Sequence, residues 1–283
     1  MLITFRRNSV LAFIPAILIL TGCSATPPFA QSPSSEVQVD SEQSFSNDSY
    51  ADVLKTYVDE NGLVEYSGLQ ANRQLLDEFV AAIGAVSPST YESWSDAEKI
   101  AFLINAYNAF TLQAIIDQAP LKGSIRDIFG VWNIRQFTIA QNRRTLDNIE
   151  HGILRKDFNE PRIHMALVCA AISCPNLRNE PYTAAQLDRQ LDDQVQQFLT
   201  SPKGLQIDRS NNRVAVSSIF KWFGEDWQKS YRVTSGFNGS DTEKAVLNFI
   251  GNYVGEDDRN YLIQGTYQLN YLDYDWSLNK QIN

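Results

Sequence analysis

Residues 95–116 read SDAEKIAFLINAYNAFTLQAII. Ser95 and Glu98 stand three apart just ahead of an apolar run, the spacing of a capping box, which predicts a helix that starts here and ends before Pro120. The run is apolar nearly all round, the pattern of a central buried helix rather than a surface one. Its exceptions, Asn105, Asn108 and Thr111, recur at a spacing of three and share one face. Two buried amides need partners, so the surrounding chain must bring polar groups to that face.

Shorter elements flank this helix. Ala51–Val58 and Leu75–Val86 carry helical spacing, and Gly62–Tyr66 reads as a short strand. Arg135–Ala140 with Arg143–Thr145, and Leu205–Asp208 with Val214–Ser217, read as two hairpins. Asp147 is placed to cap a short helix, DNIEHGILR. Thr183 and Gln186 suggest a cap for an amphipathic helix to Leu199, and Ser240 and Glu243 a cap for one to about Tyr253. Arg162–Val168 is a brief apolar run, strand or helix, and the tail YQLNYLDYDWSLN alternates as a strand does. The expectation is an α+β fold: a helix-rich single domain over residues 49–283 with a small antiparallel sheet and a central buried helix.

The N-terminal end has another character. Arg6 and Arg7 precede an apolar stretch from Val10 to Leu20, too short to span a bilayer, and then Leu20-Thr21-Gly22-Cys23. This resembles a bacterial lipobox. The resemblance implies a signal peptide over 1–22, an acylated Cys23, and an anchor on the non-cytoplasmic face of a membrane in the cell envelope. Residues 23–48 are rich in Ser, Pro and Gln and read as a tether. The chain holds 24 Lys and Arg against 33 Asp and Glu, a net charge of −9, and loss of residues 1–22 removes two more positive charges. Such a surface gets no electrostatic help towards nucleic acid, so none is expected as a partner; the membrane is expected only through the lipid.

The histidines, His151 and His164, and the cysteines beyond Cys23, Cys169 and Cys174, all fall within IEHGILRKDFNEPRIHMALVCAAISCP. Soft nucleophiles and near-neutral bases are thus concentrated in one segment. Here the chain resembles the domain-of-unknown-function family 547, through FLINAYNAFTLQAI, SIRDIF, LDNIEHGILR, RIHMALVCAAISCPNL and the later SSIFKWFGEDW, about residues 94–227. Leu103 stands where that family often has Trp, and Pro175-Asn176 where it has Pro-Pro. The resemblance implies a domain but no assigned reaction.

The residues support several chemistries. On an α-helix Asp147, His151 and Arg155 share a polar face, opposite a stripe of Leu146, Ile149 and Ile153, with Glu150 beside the apolar side. His151 is a candidate acid or base, or a structural imidazole; His164, in an apolar run, is a candidate base for a thiol or a hydrogen-bonded core residue. Arg155 and Arg162 are suited to an anionic group, or to pairing with Asp157 and Glu160. In one reading Cys169 is a thiol nucleophile activated by His151 or His164 with Glu150, supported by Asn105 and Asn108, in a hydrolase or transferase acting on an amide or peptide-like substrate. These ingredients are those of papain-like and transglutaminase-like hydrolases, by residue type alone.

In a second reading Cys169 and Cys174 form a disulfide in a non-catalytic envelope module. Bridged Cα atoms lie ~4.4–6.8 Å apart, against ~8 Å for this spacing on a helix and ~16 Å on a strand, so a bridge needs a tight turn over Ala170–Ser173. A third reading is zinc, held by these Cys and His residues with Glu150, although no metal-type spacing is present and no resident metal or cofactor is expected. Trp222, Phe223 and Trp227 suit a substrate groove or, more simply, core packing.

Overall fold

The capping box forms: Ser95 Oγ accepts from the Glu98 amide, and Glu98 Oε2 accepts from the Ser95 amide at 2.8 Å. The computed structural model describes residues 45–282. Cys23, the signal segment and most of the expected tether lie outside the described residues. Phe45 already belongs to the folded part, because its ring packs on Phe79, Trp94 and Phe102.

Helices α1 (Asp48–Tyr57), α2 (Tyr66–Ala71), α3 (Gln74–Ala85) and α4 (Pro88–Ser93) precede the central helix α5 (Asp96–Ile116). α5 is long and apolar enough to cross a membrane by length and composition, yet it is buried within the fold. Strands β1 (Phe137–Ile139) and β2 (Asn142–Arg144) form the first expected hairpin. After the three-residue helix α6 (Arg155–Asp157) comes a 3-10 turn over Pro161–Met165, then helix α7 (Leu187–Thr200). Strands β3 (Leu205–Asp208) and β4 (Arg213–Val216) form the second hairpin, followed by α8 (Ser218–Phe223), α9 (Glu225–Tyr231), α10 (Asp241–Gly251), α11 (Glu256–Gln264) and β5 (Gln268–Tyr271).

The α+β class is therefore observed, with two small sheets rather than one. The second is mixed: β3 pairs antiparallel with β4, and β5 joins β4 in parallel. β5 ends at Tyr271, short of the alternating tail. Beyond it the chain laces across the molecule: Ile172 donates to Ser277, Asn279 to Ala170 and Gln281 to Val64 through backbone amides. Val58 and Val64 make only an isolated antiparallel bridge where a strand was expected.

Two caps differ from expectation. Thr145 Oγ1, not Asp147, accepts from the Asn148 amide. Thr183 makes no side-chain cap and precedes a 3-10 turn; its amide donates to Gln190 Oε1, and α7 starts at Leu187.

Buried side chains form two clusters. One surrounds α5 with Phe79, Phe110, Ile149 and Leu191; the other gathers Phe198, Val214, Phe220, Trp227 and Phe249. The segment 146–177 borders both.

Candidate functional site

The segment LDNIEHGIL does not continue as a simple α-helix. Asn148–Leu154 is a π-helix, which carries more residues per turn. The wider turn changes which side chains face the core: Leu146, Ile149 and Leu154 are fully buried, while Ile153, expected in the stripe, is only partly so. It also turns Glu150 inward, where it is 9% exposed. His151 stays at the surface side. Its Nδ1 lies 3.0 Å from Arg155 Nη1, and its Nε2 is 3.9 Å from Asp147 Oδ1. Arg155 can only donate, so His151 accepts at Nδ1 and carries its proton on Nε2.

His164 sits on the 3-10 turn, nearly fully buried, between two carboxyls. Nε2 is 2.7 Å from Asp226 Oδ2 and Nδ1 is 3.9 Å from Glu150 Oε1. A carboxylate only accepts, so Nε2 carries the proton and the Nδ1 lone pair faces Glu150. The ring is stacked on Phe223, with centroids 4.3 Å apart, and packs against Trp227. Asp226, on α9, also takes both arms of Arg155, Nε at 2.6 Å and Nη2 at 3.0 Å. Arg155 thus pairs with Asp226 and not with Asp157. Arg162 pairs with Glu160, as one expectation held, and with Asp188 and Asp192.

The two carboxyls around His164 are pushed apart. Burial raises Glu150 to about 7, against the opposing pull of the Tyr107 hydroxyl and Arg155. Burial pushes Asp226 upward too, but hydrogen bonds from His164 and Arg155 outweigh it and hold this carboxyl at about 2. Burial also lowers His164, despite the Asp226 bond, and lowers His151, which Arg155 further depresses. At neutral pH both imidazoles are neutral, Asp226 is charged, and Glu150 is close to half-protonated.

Cys169 and Cys174 are joined in a disulfide with Cα atoms 6.1 Å apart. The turn that brings them together includes Ala170 in the left-handed region, at φ 58°, and a bond from the Cys174 amide to the Ala171 carbonyl. Tyr274 Oη is within hydrogen-bonding distance of both sulfurs, 3.3 Å from Cys169 and 3.2 Å from Cys174. Lys203 braces the same loop through Ile172 O and Asn176 Oδ1. Gly62 backs it: at φ 73° a Cβ there would stand 2.6 Å from Asn176 Cβ.

One cavity of about 220 Å³ brings together Glu150, His151, His164, Cys169 and Cys174. Its walls include Tyr107, Trp132, Trp222, Phe223, Tyr274 and Trp276. Other expected site residues stand outside the lining. Asn108 donates to the Ala166 carbonyl and accepts from the Val168 amide, and Asn105 does the same for the carbonyl and amide of Tyr182. Both amides hold loops, and Asn108 holds the one that leads into Cys169. Among the described residues no group of three or more His, Cys, Asp or Glu side chains is arranged to hold a metal ion.

Sequence reasoning missed Asp226, although it lies within SSIFKWFGEDW, because its partner is 62 residues away. It also missed Trp132, Trp276 and Tyr274, which no local spacing links to the histidines.

Residues 91–199 match the family described as "Protein of unknown function, DUF547". The match supports placing this segment in that family. The matched segment contains α5, the π-helix, His164 and the disulfide loop. Asp226 and the Trp222–Phe223 wall lie beyond it. No curated protein and no solved structure matches the chain.

Proposed function

We propose that this protein is an envelope lipoprotein, held through Cys23 on the non-cytoplasmic face of a bacterial membrane, whose folded part is a hydrolase or transferase acting on an amide or peptide-like substrate. The observation that carries the enzymatic reading is the Glu150–His164–Asp226 array on one aromatic-walled cavity. Two carboxyls with separated proton affinities, flanking an imidazole of fixed tautomer, are the parts of a general acid–base site.

For hydrolysis, His164 Nδ1 takes a proton from water as the water oxygen adds to the carbonyl carbon. The C–N bond breaks as protonated Glu150 gives its proton to the leaving nitrogen. The imidazolium then returns its extra proton to Glu150, 3.9 Å away. Asp226 is a positioning residue: it holds the Nε2–H tautomer and stabilises the imidazolium when it forms.

A thiol-dependent reaction is the second reading. Both sulfurs line the same cavity and contact Tyr274, so reduction of the disulfide frees Cys169 beside the acid–base pair.

The test is a screen of amide and peptide-like substrates with and without dithiothreitol, on the wild type and on Glu150→Gln, His164→Gln and Cys169→Ser variants. The acid–base reading expects turnover without reductant, unchanged in Cys169→Ser and lost in the other two. Activity that requires reductant and Cys169 favours the thiol. No turnover by any form sinks both and leaves a non-catalytic envelope module stapled by the disulfide. Globomycin-sensitive processing of the precursor tests the anchor, and unchanged processing argues against it.

A further inference from the structure

The cavity has a chemical bias that the acid–base reading does not use. Its aromatic walls come from separated segments: Tyr107 on α5, Trp132, Trp222 and Phe223 on α8, and Tyr274 and Trp276 from the C-terminal stretch. Trp276 is the hub. Its ring centroid is 4.6 Å from Tyr274, 5.9 Å from a near-parallel Trp222 and 6.1 Å from Trp132. Trp222 is 46% exposed and forms the rim.

The charged groups on the lining are the carboxyls of Asp147 and Glu150; no Lys or Arg side chain contributes to it. Two guanidinium groups stack on wall rings without entering the lining. Arg155 lies over Phe223 at 5.0 Å and is paired in a bidentate manner with Asp226; Arg126 lies over Trp276 at 5.3 Å. Glu150 has no ion-pair partner among the described residues closer than His164 Nδ1 at 3.9 Å.

These facts discriminate between ligand classes. An anion entering the cavity meets Glu150 and Asp147 with no opposing cation on the lining. A purely apolar group desolvates Glu150 further without a partner, which is costly. A cation gains twice: ring faces attract it through their quadrupoles, and the Asp147 carboxylate on the lining pairs with it.

We infer that this cavity binds an organic ammonium group, so that the substrate is a cationic amide whose amine-bearing part is held among Trp132, Trp222, Trp276 and Tyr274 with its charge directed to Asp147, leaving Glu150 free to act as the acid. The inference rests on reading this cavity as the reaction site, and it names the class of substrate.

Binding is tested apart from turnover, on the detergent-solubilised full chain, by calorimetry and tryptophan fluorescence. Choline is compared with its uncharged isostere 3,3-dimethylbutan-1-ol, and n-butylammonium with n-butanol. The expected result is that at least one cation binds tenfold or more tighter than its neutral partner. Trp222→Leu, at the exposed rim, weakens that cation at least fivefold, and Asp147→Asn at least threefold, with the thermal midpoint of each variant unchanged. Equal affinity for cation and isostere in both pairs overturns the inference, as does absence of binding by a folded protein. Cation selectivity unaffected by Trp222→Leu and Asp147→Asn places the cation elsewhere and also overturns it. Turnover of a neutral amide without cation binding removes this inference and leaves the acid–base site standing; cation selectivity without turnover does the reverse.

Discussion

Glu150 shows how one side chain can combine cost and function. Its carboxyl is buried, so its folded value of about 7 stands well above the ~4.3 of an exposed glutamate. The folded state therefore binds more protons than the unfolded one between these values. The stabilising proton is fully present below the unfolded value and is lost as pH rises through 7. The difference is worth about 4 kcal/mol. Denaturant unfolding is expected to show that the stability difference between wild type and Glu150→Gln moves against the wild type from pH 5 to pH 8; the two lowered histidines run the other way over this range but are common to both proteins. A difference that does not change with pH would assign the effect to another group. In an active preparation the same variant should lower kcat/KM by ~10²-fold or more, and wild-type activity should decline above pH 7 as the acid loses its proton.

Asp226 has the opposite sign. Its folded value of about 2 is depressed, so its stabilisation is present above the unfolded value of ~3.9 and is lost as pH falls through 2. Asp226→Asn removes the carboxylate that fixes His164 and leaves Arg155 without its partner. Destabilisation of about 2–4 kcal/mol is expected. An imidazole free to change tautomer should also lower kcat at least tenfold with little change in KM. An NMR measurement in which the His164 tautomer is unchanged by the substitution would contradict the positioning role.

At the scale of elements, the π-helix and the disulfide loop decide which residues reach the cavity. The spacing of Asp147, His151 and Arg155 was correctly read as one polar face, since His151 contacts both of the others. Glu150 was legible beside the apolar side, but its full turn inward was not. One extra residue per turn leaves no distinct mark on a nine-residue apolar pattern, and only packing against α5 reveals it. The buried amides on α5 were legible as a demand for partners. What they bind was not, because the partners are backbone groups of loops 58 and 77 residues away. Asn108→Ala should strand the Ala166 carbonyl and the Val168 amide, at a cost of about 2–4 kcal/mol. Because that loop leads into Cys169, hydrogen exchange in 166–174 should accelerate more than the global loss of stability explains; a uniform acceleration would make Asn108 merely a core residue.

At the scale of the whole molecule, the site lies where the two clusters of buried side chains meet. His164 and the disulfide loop come from one stretch, Phe223 and Asp226 from α8 and α9, and Tyr274 and Trp276 from the C-terminal lacing. That lacing also secures distant parts, as Tyr66 donates to Asn279 Oδ1 at 2.7 Å and Ser124 to the Trp276 carbonyl at 2.7 Å. Truncation after Leu272 is expected to remove two cavity walls and lower the thermal midpoint by more than about 8 °C, since several backbone bonds and buried rings are lost together. A truncated protein with an unchanged midpoint would show the lacing to be ornamental to the fold.

The sequence by itself determined what is local. The capping boxes at Ser95 and Ser240, the buried character of α5, the two hairpins and the concentration of His and Cys in one segment all depend on neighbours a few residues apart. Such patterns follow from backbone geometry and the exclusion of apolar groups from water. Only the tertiary structure decided which carboxyl meets which imidazole. The Asp226–His164–Glu150 array and the aromatic walls come from packing between segments far apart in the chain, and the local turn that closes Cys169–Cys174 is held by backbone bonds to Ser277 and Asn279. Their separation in sequence is unconstrained by any repeat, and the proton affinities at the site are created by the burial that packing imposes.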